Sequence, residues 1–118
     1  MAAGTEQEML KALGRLGDAE EITPTQLTKT VSDPDVPEVL ATEGTFYRWA
    51  VIIGKKSARS ANSDRVYLGV TSGNNEQPYE ISPDRYITLD APPGTKIDLA
   101  TWYLDVTTAG DGVVIIYG

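Results

Sequence analysis

The chain has 118 residues and a formal net charge of −7, from 17 acidic and 10 basic residues. It contains neither cysteine nor histidine, which excludes disulfides, thiolate metal sites and every catalytic pair built on those residues. The length fits one domain with one modest core. The sequence predicts no enzymatic activity, no cofactor and no metal. The acidic balance predicts a surface that nucleic acid does not bind.

Residues 1–21 are predicted to form an amphipathic helix. Thr5 and Glu8 have the spacing of a capping box at its start. A helix this short is barely stable alone, so its apolar stripe has to pack against something. We expect a neighbouring subunit, or the surface on which the protein is mounted, to cover it. The stripe consists of Met9, Leu10, Leu13 and Leu16.

Residues 22–44 are predicted to form an extended arm, with a short strand near Gln26–Val31. Three prolines interrupt this segment, and no helical or alternating period persists in it. Residues 1–45 hold nine acidic and three basic residues, so nearly all the net charge lies here. The arm is either a solvated tail or a segment that orders on a neighbouring subunit. For the second interpretation, Ile22, Leu27 and Val31 are the candidate interface residues.

Residues 45–118 are predicted to form the folded body, a compact β-sandwich or small jelly-roll-like barrel. The strand candidates are short, rich in β-branched and aromatic residues, and separated by turns. The segment Ala109–Gly112 predicts a β-hairpin between the last two candidates. The candidates are Phe46–Ile53, Arg65–Val70, Tyr79–Ser82, Tyr86–Asp90, Lys96–Leu99, Trp102–Val106 and Val113–Tyr117.

A basic cluster lies in the loop after the first of these strands. It contains Lys55, Lys56, Arg59 and Arg65, with no aromatic residue inside the loop. A site for single-stranded nucleic acid would require aromatic side chains among these lysines and arginines, because nucleobases stack on aromatic rings. A solvated loop, or a contact with an acidic partner, explains the cluster more simply.

The acidic residues of the body offer weak candidates for chemistry. Asp98, Asp105 and Asp111 could supply oxygen ligands to Ca²⁺, but the EF-hand spacing is absent and Asp111 fits a turn. A catalytic carboxylate pair could be nominated as Asp90 with Asp98, or as Glu80 with Asp84. Nothing in the sequence fixes either pair at a working distance.

Two adjacent aromatic residues, Trp102 and Tyr103, are candidate surface contacts. Successive side chains of a strand point to opposite faces, so a regular strand cannot bury both in one core. One of them is expected to face a loop, a subunit contact or a ligand. A sugar-binding face is one interpretation, and mixed use in core and interface is the other.

Six stretches of the body form one recognisable pattern: residues 49–59, 65–70, 77–81, 91–99, 102–106 and 109–114. A strand and a variable loop precede a strand with Val-Tyr-apolar-Gly, and the pattern ends in Ala-Gly-Asp-Gly-Val. In this pattern residues 45–118 resemble small virion proteins of tailed bacteriophages. The resemblance implies a non-enzymatic structural protein at the virion surface, synthesised in the host cytoplasm.

The resemblance favours a capsid decoration protein whose partner is the major capsid protein or another virion protein. A head fibre, a tail or baseplate part, and a receptor- or glycan-binding module are the alternatives. Capsid surfaces offer three-fold sites and oligomers are usually symmetric, so a homotrimer is the first expectation. No apolar run approaches the length of a membrane span, so no membrane partner is expected.

Overall fold

The computed structural model describes residues 23–55 and 61–118. The predicted N-terminal helix, with Met9, Leu10, Leu13, Leu16 and Ile22, lies outside the described residues. The described chain is mainly β, with ten strands and a single turn of 3-10 helix, Leu99–Thr101. The predicted fold class is therefore confirmed.

The strands form two four-stranded antiparallel sheets and one two-stranded ribbon. In the first sheet the order is β1 (Thr25–Thr30), β10 (Gly112–Tyr117), β4 (Trp49–Gly54) and β7 (Tyr86–Asp90). In the second it is β2 (Glu38–Val39), β9 (Tyr103–Val106), β5 (Val66–Gly69) and β6 (Tyr79–Ile81). The ribbon pairs β3 (Phe46–Tyr47) with β8 (Ile97–Asp98).

One hydrophobic core lies between the two sheets. Alternate residues of each central strand point into it, as the two-residue period of a strand requires. The first sheet contributes Ala50, Ile52, Val113 and Ile115, and the second contributes Val66, Leu68, Ile81, Leu104 and Val106. Both sets belong to one buried cluster, so the two sheets pack face to face as a β-sandwich.

The predicted hairpin between the last two strands is wrong. β9 pairs with β2 and β5, whereas β10 pairs with β1 and β4, so the two strands belong to different sheets. The turn between them is held by Val31, which donates its N–H to the Asp111 carbonyl oxygen and accepts from the Gly110 N–H, at 3.0 and 2.9 Å. Gly110 has a φ of 91°, which suits glycine. Both strands carry fully buried side chains. Because the strands face each other across the core, the apolar side chains of both are buried.

The boundary predicted at residue 45 falls inside the sandwich. β1 pairs with β10 along six residues, and β2 pairs with β9. Val31 and Leu40 are 0% and 1% exposed, and Leu27 packs against the same core. Residues 25–44 therefore complete both sheets, and Leu27 and Val31 serve the core of their own chain in place of the predicted interface.

Two buried side chains anchor the loop that precedes β5 to the start of β10. The Asn62 amide donates to the Gly112 carbonyl oxygen and accepts from the Gly112 N–H, both at 2.8 Å. The Asp111 carboxylate accepts the N–H groups of Ser63 and Asp64, at 2.9 and 3.0 Å. Asp111, predicted as a simple turn residue, therefore also accepts hydrogen bonds from the backbone of a second loop.

A partly buried hydrogen bond joins the ribbon to Trp102, the residue that precedes β9. The Trp102 indole Nε1 donates to the Tyr47 hydroxyl at 2.9 Å, and Tyr47 is 2% exposed. Burial raises the pKa of Tyr47 above its ordinary value of 10.0, the Trp102 hydrogen bond opposes this, and the Asp90 charge adds to it. The native state therefore holds the Tyr47 proton more tightly than the unfolded chain does.

We predict that Tyr47 makes the protein sensitive to alkali. Its contribution is fully present below about pH 10 and is lost as pH rises, because the unfolded chain ionises first. Urea unfolding should show a steeper loss of stability above that pH for the wild type than for Tyr47→Phe. At pH 7 Tyr47→Phe should be about 1–2 kcal/mol less stable, because the indole N–H loses its partner.

The control for this prediction is Tyr86→Phe. Tyr86 is 64% exposed, so removing its hydroxyl should change stability at pH 7 by less than about 0.5 kcal/mol. Equal alkaline slopes for the wild type and Tyr47→Phe would contradict the assignment.

Candidate functional site

The outer face of the first sheet, on the side away from the core, carries apolar side chains on its two central strands. Trp49, Val51 and Ile53 of β4 alternate with the core residues of that strand, and Val114 and Ile116 do the same on β10. All five are partly buried, and none belongs to the core cluster or packs against it. A two-layer antiparallel sandwich usually presents polar residues on this side.

The strand register makes these side chains one surface. Val114 lies opposite Ile53, and Ile116 lies opposite Val51. On the other side of β4, Ile53 lies opposite Tyr86, which is 64% exposed. We call the set Trp49, Val51, Ile53, Tyr86, Val114 and Ile116 the apolar face.

Polar residues border the apolar face along both edge strands. Gln26, Thr28 and Thr30 of β1 lie opposite Ile116, Val114 and Gly112. On β7, Thr88 lies opposite Val51 and Asp90 lies opposite Trp49. An apolar centre with a polar rim is the usual composition of a protein–protein contact.

The basic cluster predicted from sequence does not form a single patch among the described residues. Lys55 is 8% exposed, and its Nζ donates to the Gly110 carbonyl oxygen at 3.1 Å. Lys55 therefore stabilises the turn before β10. Arg65 lies near Glu80, with Nε 3.3 Å from the carboxylate. Lys56 and Arg59 lie outside the described residues.

Trp102 and Tyr103 have different surroundings. Trp102 packs against the core cluster, and its ring centroid lies 6.4 Å from that of Tyr79. Tyr103 is partly buried, lies opposite Val39 and Gly69, and alternates with the core residue Leu104. Only Tyr103 therefore lies on the outer side of the second sheet.

The carboxylates weighed for calcium and for catalysis do not converge. Asp98 accepts the N–H groups of Gly44 and Ala100, at 2.8 and 2.9 Å. The Ala100 bond and then the Gly44 bond lower the pKa of Asp98. Asp98 thus caps a helical turn and ties it to a distant loop. Within residues 23–55 and 61–118, no group of three or more acidic residues is placed to hold a metal ion.

Sequence reasoning missed the apolar face, although a signal for it was present. The runs Ala50–Ile53 and Val113–Tyr117 are apolar at every position, whereas a strand with one solvated face alternates. Such an unbroken run indicates burial on both sides. The second sheet covers one side, and the other side is the apolar face.

Comparisons with family models, with curated proteins and with solved structures find no match to this chain. Among the described residues no helix is both long and apolar enough to cross a membrane.

Proposed function

We propose that this chain is a structural protein of a bacteriophage virion, and that it decorates the outer surface of the capsid lattice. The apolar face is the observation that carries the proposal, because it provides an assembly surface on the outside of a sandwich whose core is already closed. The sequence resemblance to small phage virion proteins is the reason for proposing a virion as the assembly. The partner is the major capsid protein or another virion protein.

The size of the apolar face favours assembly through many weak contacts. Four strands about 4.8 Å apart, with about five residues at 3.4 Å each, give a footprint of roughly 14 by 17 Å. That is well below the roughly 800 Å² per partner of a stable pairwise complex. A single contact of this kind is weak, whereas an oligomer that presents several copies to a repeating lattice binds through avidity.

The N-terminal segment provides the oligomer contact in this proposal. The stripe of Met9, Leu10, Leu13 and Leu16 lies outside the described residues, and its role as the oligomer contact is an expectation from the sequence alone. A trimer would place three apolar faces on one side. This arrangement matches the three-fold sites of a capsid surface.

Aspartate substitutions in the apolar face test the proposal. In Val51→Asp/Ile116→Asp, two opposed residues on the face become charged, while the core side of both strands is unchanged. Affinity for empty capsids of the phage that encodes the chain, measured by co-sedimentation, should fall at least tenfold, about 1.4 kcal/mol or more. Burying an unpaired carboxylate in an interface is costly.

The matched control is Thr28→Asp, which adds a charge to the polar rim of the same face. It should change capsid affinity by less than about twofold, the usual scale for rim positions. Wild-type protein that binds phage tails but not capsids would move the function to the tail. Binding to neither, or equal losses in both variants, would overturn the proposal.

A further inference from the structure

A small polar pocket lies on the outer side of the second sheet, whereas the apolar face belongs to the first sheet. Its volume is about 240 Å³, and it is lined by Tyr67, Asn75, Gln77, Asp105 and Thr107. Tyr67 on β5 and Asp105 on β9 lie directly opposite each other. They alternate with the core residues of those strands, so they form the floor of the pocket.

The wall of the pocket is the loop between β5 and β6, which folds back over the sheet at Gly69. A Cβ placed on Gly69 would lie 2.8 Å from Gln77 Cα and from Pro78 Cδ, so the close approach requires glycine. Gln77 is 5% exposed as a result. Its Nε2 donates to the carbonyl oxygens of Thr71 and Gly73, at 2.7 and 2.9 Å.

The other end of the Gln77 amide has no partner. Its Oε1 is buried and accepts no hydrogen bond in the described chain. Reversing the amide would place Oε1 against two carbonyl oxygens, so the orientation is fixed by the Nε2 bonds. A buried acceptor left unpaired costs about 1–3 kcal/mol, and a ligand that donates a hydrogen bond would recover it.

Asp105 adds a negative charge to the pocket. It is 4% exposed, and its Oδ1 accepts the N–H of Val106 at 2.9 Å. Two ion pairs of the described residues join Lys29 to Glu38 and Arg65 to Glu80, and Asp105 belongs to neither. A largely buried carboxylate is best compensated by a cation.

We propose that this pocket binds a guanidinium group, supplied by an arginine side chain of a protein partner. The planar group stacks on the Tyr67 ring, donates to the Asp105 carboxylate and donates to Gln77 Oε1. A neutral sugar would satisfy the acceptors but would leave the charge of Asp105 uncompensated. The pocket shares no residue with the apolar face, so this proposal stands or fails independently of the proposed function.

Titration with ethylguanidine, a guanidinium on a short alkyl chain, and in parallel with agmatine, whose chain also ends in an ammonium group, tests the proposal by NMR on the full-length protein. The Gln77 side-chain amide signals and the Tyr67 ring signals should shift together and saturate, with a Kd of about 1–10 mM. Asp105→Asn, which keeps the oxygen that accepts from Val106, should weaken binding at least tenfold. Tyr67→Leu, which removes only the flat ring, should weaken it about fivefold.

Glu80→Gln is the matched control. Glu80 lies on β6, the neighbour of β5 on the side away from β9, where it is opposite Tyr67, and it is solvent-exposed. Its affinity for agmatine should stay within twofold of the wild type. Absence of saturable shifts, or equal losses in Glu80→Gln and Asp105→Asn, would overturn the proposal. Binding of glucose in preference to agmatine would also overturn it and would identify the ligand as hydroxylated.

Discussion

Removal of residues 113–118 is expected to leave the chain unfolded. These residues make up nearly all of β10, which pairs with β1 on one side and β4 on the other. Without it β1 has no partner strand and β4 becomes an exposed edge. Val113 and Ile115, each 0% exposed, would also leave the core. Their burial alone is worth about 1.5–3 kcal/mol each, against a typical net stability of about 5–15 kcal/mol.

Circular dichroism and one-dimensional proton NMR check this expectation directly. The truncated chain should lack both strand signal and dispersed methyl resonances. Two substitutions on the same strand give a graded comparison. Ile115→Thr places a hydroxyl in the core and should cost about 2–4 kcal/mol, whereas Ile116→Thr on the apolar face should cost less than about 1 kcal/mol. A truncated chain that still melts cooperatively would contradict the central role of β10.

The second large effect is expected from Gly112→Ala. A Cβ at this position would lie 2.0 Å from the Lys29 carbonyl oxygen and 2.8 Å from Thr30 Cα. Both atoms belong to the backbone of β1, which is held in register along its whole length, so neither can move alone. Gly112 also exchanges two hydrogen bonds with the Asn62 amide. We expect a loss of at least about 3 kcal/mol in urea unfolding, the upper range for overpacking.

Gly94→Ala separates crowding from backbone strain. Gly94 has a φ of 79° and no atom within 4 Å of the added Cβ, so only the left-handed backbone is penalised there. The expected cost is about 1 kcal/mol. If both variants lose the same stability, close packing of β1 on Gly112 is not what requires glycine at that position.

The strands could be predicted from sequence because their residues carry local signals. Tyr86–Asp90 was predicted with the bounds that the structure shows. Phe46–Ile53 was predicted as one strand, whereas the structure divides it at Arg48 and continues β4 to Gly54. The pairing of strands could not be predicted in the same way. The Ala109–Gly112 turn has hairpin composition, but several of its hydrogen bonds go to residues remote in sequence, Val31 and Asn62 among them.

The two candidate sites differ in the same way, since one has a local signal in the sequence and the other has none. The unbroken apolar runs of β4 and β10 are visible in the sequence and point to a second covered face. The pocket is not visible, because it depends on a loop folding back over Gly69 and on one unpaired amide oxygen of Gln77. Tertiary contacts of that kind leave no periodic trace in a sequence.

The position of β10 between β1 and β4 also determines the order in which the protein can fold. During synthesis β4 can pair with β7 as soon as both have been made, whereas β1 has no partner strand until residues 112–117 follow. The first sheet is therefore completed only after translation of that segment, through contacts that close nearly the whole described chain. Folding by such distant contacts is slow, so the apolar strands stay open to chaperones, or to other copies of the chain, until the last strand arrives.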